Sequence, residues 1–442
     1  MEYDAVVIGS GPGGYECALQ VAKRGGKAVV VEKGLVGGVC TNSGCIPTKA
    51  LAAACEVIDT INSAKDFGVV AETHTPDFKK LFNRRDRISQ IMRKGVEKLL
   101  QDASVEVIAG EAEIKSKTEV IVGGRTLEAK NIVVATGSTP SGTKNITLDK
   151  DFVISGDDTA QSSEVPKELV IIGGGFIGCE YASIYSALGA KVTLIEAMKR
   201  ILPTEDEDVS AELASSLSKK VKIITGKLVE SVDACAKTVR VSSEEILCDK
   251  VLLAVGRSAS IPKGLAELGV KIEKNGVVVD KKMKTNIVGI YAVGDVTQYP
   301  MLAHTATAGA EVVATNIMGG DANVDYSVVP WCVFTHPEIS RVGKTAKECG
   351  KDALVGVAYY AANGKARCIG EGRGFCKVVA DGKTKKILGV HIIGAQASSL
   401  IGEAALSVKH ELTLDDVIET IHPHPTLCEL FKSACENALK KK

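Results

Sequence analysis

Apolar residues in this chain come in short unbroken blocks, each ending in a glycine-rich turn. Val6-Val7-Ile8 runs into Gly9-Ser10-Gly11-Pro12-Gly13-Gly14. An alanine-rich helical stretch follows over 15–24, then a second apolar block over 28–31 that closes on Glu32. The pattern returns later. The block 169–172 runs into Gly173-Gly174-Gly175-Phe176-Ile177-Gly178, a helical stretch follows over 180–188, and the block 191–195 closes on Glu196. Glu32 lies 23 positions after Gly9, and Glu196 lies 23 after Gly173. Apolar runs of this length, bounded by turn signals, suit strands buried on both faces. The chain therefore repeats a β-turn-α-β unit.

Further blocks end in turns of the same kind. Residues 132–135 lead into Thr136-Gly137, 250–254 into Val255-Gly256-Arg257, and 289–293 into Gly294-Asp295. A helix is predicted over 303–317, closed by Gly319-Gly320. From residue 326 the pattern changes to short alternating strands (331–335, 376–380, 389–393) and two helices (400–410, 427–439), which predicts an α+β module. No low-complexity linker separates the parts, so they are expected to pack tightly.

One G-x-G-x-x-G is a weak signal. Here each copy has a strand before it, a helix after it and an acid at the end of the next strand, which is the context the motif needs. The first glycine (Gly9, Gly173) makes the tight turn. The second (Gly11, Gly175) lets a pyrophosphate approach the backbone, and the third (Gly14, Gly178) lets helix pack on strand. The helix N-terminus then offers free N–H groups to the phosphates. Glu32 and Glu196 are placed to accept from a ribose 2′-OH, and a carboxylate at Glu196 disfavours a 2′-phosphate, which argues for NAD over NADP.

Composition narrows the partners. At 442 residues, two or three domains are expected. Lys plus Arg (54) balances Asp plus Glu (54), so electrostatics makes no case for nucleic acid or an anionic membrane. No run approaches the roughly 18–20 apolar residues of a membrane span. The first residues enter an apolar block with no basic segment or cleavage site before it, so a mature, cytoplasmic protein is expected; the lysines at 440–442 are expected to be a solvated tail. Thirteen scattered cysteines, an odd number, do not suit a secreted disulfide framework. Cys17, Cys55, Cys179, Cys332 and Cys376 sit in apolar surroundings and are expected to be inert buried thiols.

Cys40 and Cys45 stand apart, in Gly37-Gly38-Val39-Cys40-Thr41-Asn42-Ser43-Gly44-Cys45-Ile46-Pro47-Thr48-Lys49, with a helical run from Ala50. On one regular helix, residues five apart miss the ~4.4–6.8 Å Cα window for a disulfide; Gly44 and Pro47 break regularity and could close the gap. So small a ring restrains little chain entropy, which suits a pair that opens and closes better than a structural staple. Metal ligation would need further ligands at recognisable spacing, and none is apparent, so no metal is expected. A helix after Cys45 would lower a thiolate's pKa. Near the C-terminus, His422 and His424 are flanked by prolines, with Glu429 expected about one turn into the next helix, able to orient the imidazole of a general base. A capping or core role for both histidines is the competing reading.

Together these residues resemble the flavoprotein disulfide reductases, and within them the dihydrolipoamide dehydrogenases, over essentially the whole chain. The redox motif (a glycine pair, then C-x-N-x-G-C-x-P-x-K) is met by residues 37–49. The flavin ribityl motif is met by Tyr291-Ala292-Val293-Gly294-Asp295, and the base motif H-x-H-P-T-x-x-E by residues 422–429. Thr335-His336-Pro337-Glu338 and residues 389–394 look like the interface domain. The resemblance implies an α/β fold with two Rossmann-like domains, for FAD and NAD, plus a C-terminal α+β dimerisation domain. The implied division is 1–142 and 260–325 for FAD, 143–259 for NAD, and 326–442 for the interface. It implies that Gly9, Gly11, Gly14, Glu32, Lys33, Thr136, Gly137, Asp295 and Ala303 hold FAD. Gly173, Gly175, Gly178, Glu196 and Gly256 would hold NAD. Lys49 and Glu180 would pair beside the flavin, and the helix at Ala303 would point its N-terminus at it.

The implied reaction oxidises dihydrolipoyl groups through Cys40, Cys45 and FAD, reducing NAD+, in an obligate homodimer whose His424 and Glu429 serve the partner's cysteine pair. With no lipoyl domain in the sequence, the lipoyl group is expected on a separate carrier protein of a 2-oxo acid dehydrogenase or glycine cleavage complex. Departures are Thr48 for the usual serine, Ser43 for a frequent valine, and Ser258-Ala259-Ser260 where a proline-asparagine is usual. Phe176 stands where glutathione-reductase relatives carry a lid tyrosine, so it is expected to gate the nicotinamide pocket. The alternatives are a related NAD(P)H-dependent disulfide or mercuric reductase, for which Cys428 with Cys435 is a poor match to the second cysteine pair, and a non-catalytic flavoprotein.

Overall fold

The structure is a computed structural model and describes residues 2–71, 75–274 and 276–440. Lys441 and Lys442, read as part of a solvated tail, lie outside the described residues.

The first apolar blocks form β1 (Tyr3–Ile8) and β2 (Ala28–Glu32), joined by α1 (Pro12–Lys23). Next come α2 (Gly38–Asn42), α3 (Cys45–Ser63), α4 (Phe78–Asp102), β3 (Glu106–Ala109), β4 (Ala112–Ser116), β5 (Glu119–Val122) and β6 (Arg125–Val134). The sheet runs β3-β2-β1-β6-β5-β4. Its β1, β2, β3 and β6 are parallel, and β4 to β6 form an antiparallel meander. The chain leaves this body by β7 (Ser138–Pro140) and enters a second with β8 (Val153–Ile154), α5 (Gly156–Thr159), β9 (Glu168–Ile172), α6 (Phe176–Ala187), β10 (Lys191–Glu196), α7 (Glu207–Leu217) and β11 (Val221–Thr225). A small antiparallel sheet, β12 (Val229–Asp233), β13 (Thr238–Val241) and β14 (Glu244–Leu247), precedes β15 (Lys250–Leu253). The second main sheet runs β11-β10-β9-β15-β8, all parallel.

The return crossing is β16 (Arg257–Ala259), which pairs antiparallel with β7, so a two-stranded ribbon joins the two bodies. A short hairpin, β17 (Ile272–Glu273) and β18 (Gly276–Val277), leads to β19 (Ile290–Ala292), which adds to β6 in the first sheet. Helix α8 (Ala303–Ile317) then packs on α1. The C-terminal body is an antiparallel sheet, β20 (Trp331–Val333), β21 (Ile339–Gly343), β24 (Ile387–Ile393), β23 (Phe375–Ala380) and β22 (Leu354–Tyr359) in spatial order. Short helices α9 (Ala346–Cys349) and α10 (Gly364–Cys368) decorate it. Helix α11 (Ala397–Lys409) covers β21 and β24, and α13 (Glu429–Lys440) covers β22 and β23, with α12 (Leu414–Glu419) between them in sequence.

Some boundaries differ from the sequence reading. The helix expected from Ala50 begins at Cys45, because Pro47 falls in its first turn, where a missing N–H costs nothing. Glu429 opens α13 rather than lying a turn inside it. Helices α4, α7 and α12 and strands β3–β5, β11–β14, β21 and β22 were not anticipated.

The bodies share apolar surface. One buried cluster holds Leu51 and Phe82 of the first body, Tyr181, Ile184 and Leu194 of the second, and Val333, Ile339 and Phe375 of the third. Burying side chains from three sheets in one cluster fixes the bodies against one another.

Candidate active site

The two glycine loops are built alike. An added Cβ at Gly9 would stand 2.3 Å from the Ala135 carbonyl oxygen, and at Gly173 it would stand 2.4 Å from that of Ala254. Gly14 and Gly178 are closed off by the carbonyls of Gly9 and Gly173, at 1.9 and 1.8 Å. Gly11 and Gly175 have nothing within 4 Å, and each N-caps its helix without a side-chain cap. These are the two points where a phosphate can come against the backbone, so the residues present fit two dinucleotides.

The acids do more than the sequence reading gave them. Glu32 Oε2 accepts from Ser10 N (2.8 Å) and Ser10 Oγ (2.6 Å), and Oε1 from Gly34 N (2.7 Å). Glu196 Oε2 accepts from Gly174 N (2.6 Å) and Oε1 from Met198 N (2.7 Å). Each carboxylate thus ties its loop to the end of its strand and keeps lone pairs for a ribose. Where the second loop has Gly174, the first has Ser10, and the difference has a purpose. Ser10 accepts from Gly37 N through its carbonyl oxygen (3.1 Å) and its hydroxyl (3.2 Å). This anchors the redox segment to the first loop. Gly38, at φ +61°, completes the contact, since a Cβ there would meet Gly11 Cα at 2.7 Å.

From that anchor, α2 carries Cys40. Asn42 donates to Val36 and Gly38 carbonyls (both 2.9 Å) and holds the turn closed. Gly44 breaks the path between α2 and α3, and Cys45 opens α3. Both cysteines are free thiols, Cys40 half-buried and Cys45 exposed. They are not equivalent. Pairing with the neighbouring Cys45 thiol, with burial, holds the Cys40 proton far above the ordinary thiol range. The same pairing lowers Cys45 to about 7, and the Lys49 charge adds to it against the opposing effect of burial. The fold therefore favours the thiolate at Cys45.

Lys49 Nζ contacts both Glu180 oxygens, at 2.8 and 3.0 Å. Glu180 also accepts from Phe334 N (2.9 Å), and the Phe334 ring lies 4.3 Å from Lys49 Nζ. Each of the three bodies thus supplies one member. Thr48, next to Lys49, donates to the Gly44 carbonyl (2.6 Å) and meets the Tyr181 hydroxyl at 3.2 Å, while Tyr181 donates to Gly156 O (2.9 Å). Sequence reasoning missed Phe334 and Tyr181, although each lies beside a residue it had singled out.

Asp295 accepts from Ser138 Oγ (2.7 Å), which accepts from Arg257 Nε (2.8 Å); Arg257 in turn holds Asp157 at 2.7 and 3.1 Å. Thr136 and Gly137 both bond Ser260, and Gly256 O accepts from Ser141 N, so these three lie at the β7–β16 crossing. Lys33 is exposed and lies 3.8 Å from Glu111. Ala303 opens α8, whose N-terminus has no side-chain cap.

At the C-terminal end, His424 Nδ1 lies 2.9 Å from Glu429 Oε1, and its side chain is 78% exposed. Glu429 Oε2 accepts from Thr426 N (2.8 Å), which with the His424 contact holds its carboxyl below the usual range. The His422 side chain is buried and differently employed, with one ring nitrogen 2.9 Å from the Thr420 carbonyl and the other 2.9 Å from Glu403. Helix α13 packs on β22, β23 and α12, whereas α3 packs on α2, α4 and α6. Cys428 is half-buried, its sulfur 2.8 Å from Thr426 Oγ1, and Cys435 is buried in α13, so they form no exposed second pair. Among the described residues, no three His, Cys, Asp or Glu side chains gather as a metal site, and no helix is long and apolar enough to cross a membrane.

Known proteins match this arrangement along its length. The family model of pyridine nucleotide-disulphide oxidoreductases matches residues 3–310, and that of their dimerisation domain residues 329–435. A dihydrolipoyl dehydrogenase of Rhizobium etli is 37% identical over 99% of this chain and 98% of its own. One of Thermus scotoductus is 40% identical over 98% of this chain and 97% of its own. Among solved structures, the HOCl-induced flavoprotein disulfide reductase RclA from Escherichia coli superposes with a TM-score of 0.89 at 28% identity, covering 98% of this chain and 99% of that one.

Proposed function

The chain belongs to the pyridine nucleotide-disulphide oxidoreductases, and from that premise we propose that it oxidises protein-bound dihydrolipoyl groups to lipoyl disulfide and reduces NAD+ to NADH. The observation that carries the reading is the asymmetric Cys40–Cys45 pair, anchored on one dinucleotide loop through Ser10 and joined to the helix of the other through Lys49 and Glu180. The cofactors are FAD at the first loop and NAD at the second. FAD, when bound, supplies the two-electron relay between a cysteine thiolate and NAD+.

The residues of the chain divide the remaining work. His424, oriented by Glu429, takes the proton of one dihydrolipoyl thiol. That thiolate attacks Cys40 Sγ of the Cys40–Cys45 disulfide; the S–S bond breaks, a mixed disulfide forms and Cys45 leaves as the thiolate. His424 releases that first proton to solvent and then takes the proton of the second substrate thiol, whose thiolate attacks the substrate sulfur of the mixed disulfide. Lipoyl disulfide departs, and Cys40 leaves as a thiolate that regains a proton from His424. The leaving-group order follows from the pair's electrostatics, because the thiol with the lower pKa leaves faster. Lys49 holds its charge beside Cys45, and Glu180 keeps Lys49 there.

The dimerisation domain supports a homodimer, and the separate packing of α13 and α3 supports delivery of His424 to the partner's cysteine pair. A lipoyl-bearing carrier of a 2-oxo acid dehydrogenase or glycine cleavage complex is the proposed partner. Thirteen scattered cysteines, an odd number, suit a reducing compartment better than a secreted disulfide framework, so the proposed location is cytoplasmic. Steady-state turnover decides the substrate. Dihydrolipoamide with NAD+ is expected to turn over, while oxidised glutathione with NADH or NADPH is not; turnover with glutathione and none with lipoamide would reject the reading.

A further inference from the structure

Phe176 is the first residue of α6, directly after the open Gly175, and Glu180 is one turn further on. Positions i and i+4 share a helix face, so Phe176 stands between the phosphate-binding turn and the Lys49–Glu180 pair at the redox site. A dinucleotide with its pyrophosphate on the turn and its reactive ring at the redox site has to pass this side chain. Its partner is Trp331 of β20, with ring centroids 5.3 Å apart and planes at 62°. The same indole carries the Arg341 guanidinium 4.9 Å from its centroid, and Arg341 is bound at 2.8 Å by Glu205, a buried carboxylate of the second body. Trp331 and Arg341 face each other across the β20–β21 register. The C-terminal hairpin is thus gripped by the nucleotide-binding body at two points, Phe176 and Glu205, with the indole between. Trp331, Arg341 and Glu205 also line a cavity of about 660 Å³, while Phe176 does not. The indole therefore borders Phe176 on one side and open space on another.

We propose that Trp331 is a positioning residue for nucleotide entry: it holds Phe176 across the path of the nicotinamide and yields into the cavity when that ring arrives. The inference rests on the second loop being the NAD site. An edge-to-face pair contributes ~0.5–1.5 kcal/mol. Breaking it with Trp331→Ala is expected to tighten NAD+ binding about two- to tenfold and to leave the KM for dihydrolipoamide unchanged.

Trp331 is the sole tryptophan of the chain, so its emission reports the surroundings of this one indole. In the flavin-loaded enzyme, saturating NAD+ is expected to shift the emission, and ADP-ribose, which lacks the nicotinamide, is not. In Phe176→Ala, with NAD+ binding measured by calorimetry, the shift is expected to vanish. NAD+ that binds without shifting wild-type emission overturns the inference alone, as does a shift that survives in Phe176→Ala or appears equally with ADP-ribose. NAD+ that fails to bind the wild-type enzyme overturns instead the assignment of the second loop.

Discussion

Cys40 and Cys45 have the same side chain and opposite proton affinities. Nothing in the spacing of two cysteines says which will ionise. The difference arises because one sits inside a short helix against its neighbour's sulfur, while the other opens a helix beside Lys49. The Cys45 pKa is lowered to about 7, below the ordinary thiol value, so folding favours its anion. The stability this contributes is fully present above the unfolded thiol pKa near 9 and is lost as pH falls through about 7. Thiolate absorbance of the reduced enzyme should therefore rise with a midpoint near pH 7, and Lys49→Met should move that midpoint upward. A midpoint near 9 in the wild type would contradict the asymmetry. The residues that do chemistry were legible because they carry distinctive groups at distinctive spacings. Phe334, Tyr181 and Trp331 were not, because an aromatic residue announces burial and says nothing of its neighbour across the fold.

The two β-turn-α-β units were legible as elements, down to the acids that end their second strands, because both the turn and the apolar blocks are set by local sequence. What else the acids hold was not. Glu196, read as a ribose ligand, also joins a backbone N–H of the glycine loop, at Gly174, to one just past its own strand, at Met198. Glu196→Ala should leave both donors without their acceptor, and a hydrogen bond to a charged group is worth about 1.5–3 kcal/mol. The KM for NAD+ is expected to rise about tenfold or more, with that for dihydrolipoamide unaltered and no gain of NADP+ turnover. A variant that simply exchanged NAD+ for NADP+ would show that the carboxylate acts on the ribose and leaves the loop alone. Element starts were read late where proline was taken as a breaker. Pro47 lies in the first turn of α3, and that shift places Cys45 at the helix N-terminus, where the helix's positive end favours its anion.

At the scale of the whole molecule, the bodies are joined by charge as well as by shared core. Lys377 of the C-terminal sheet is buried and holds Asp206 (2.9 Å) and Asp208 (2.6 Å) of the second body, in the same stretch where Arg341 holds Glu205. Removing one partner of a buried pair costs about 3–5 kcal/mol, because the other charge is left unpaired. Lys377→Ala should lower the denaturation midpoint accordingly, and a change below about 1 kcal/mol would show that the bodies do not depend on this contact. Such contacts pair residues more than 130 positions apart, between elements that carry no trace of one another in sequence. The three-body plan could be read in advance, while the surfaces that join the bodies could not. The most direct measurement concerns the active site assembled from two copies. A heterodimer of Cys40→Ser and His424→Gln subunits, isolated with two affinity tags, has one site with both defects and one with none if His424 serves its partner. The account predicts about half the wild-type turnover with dihydrolipoamide and NAD+ from that heterodimer, with both parent homodimers nearly inactive. A heterodimer no more active than its parents would contradict it.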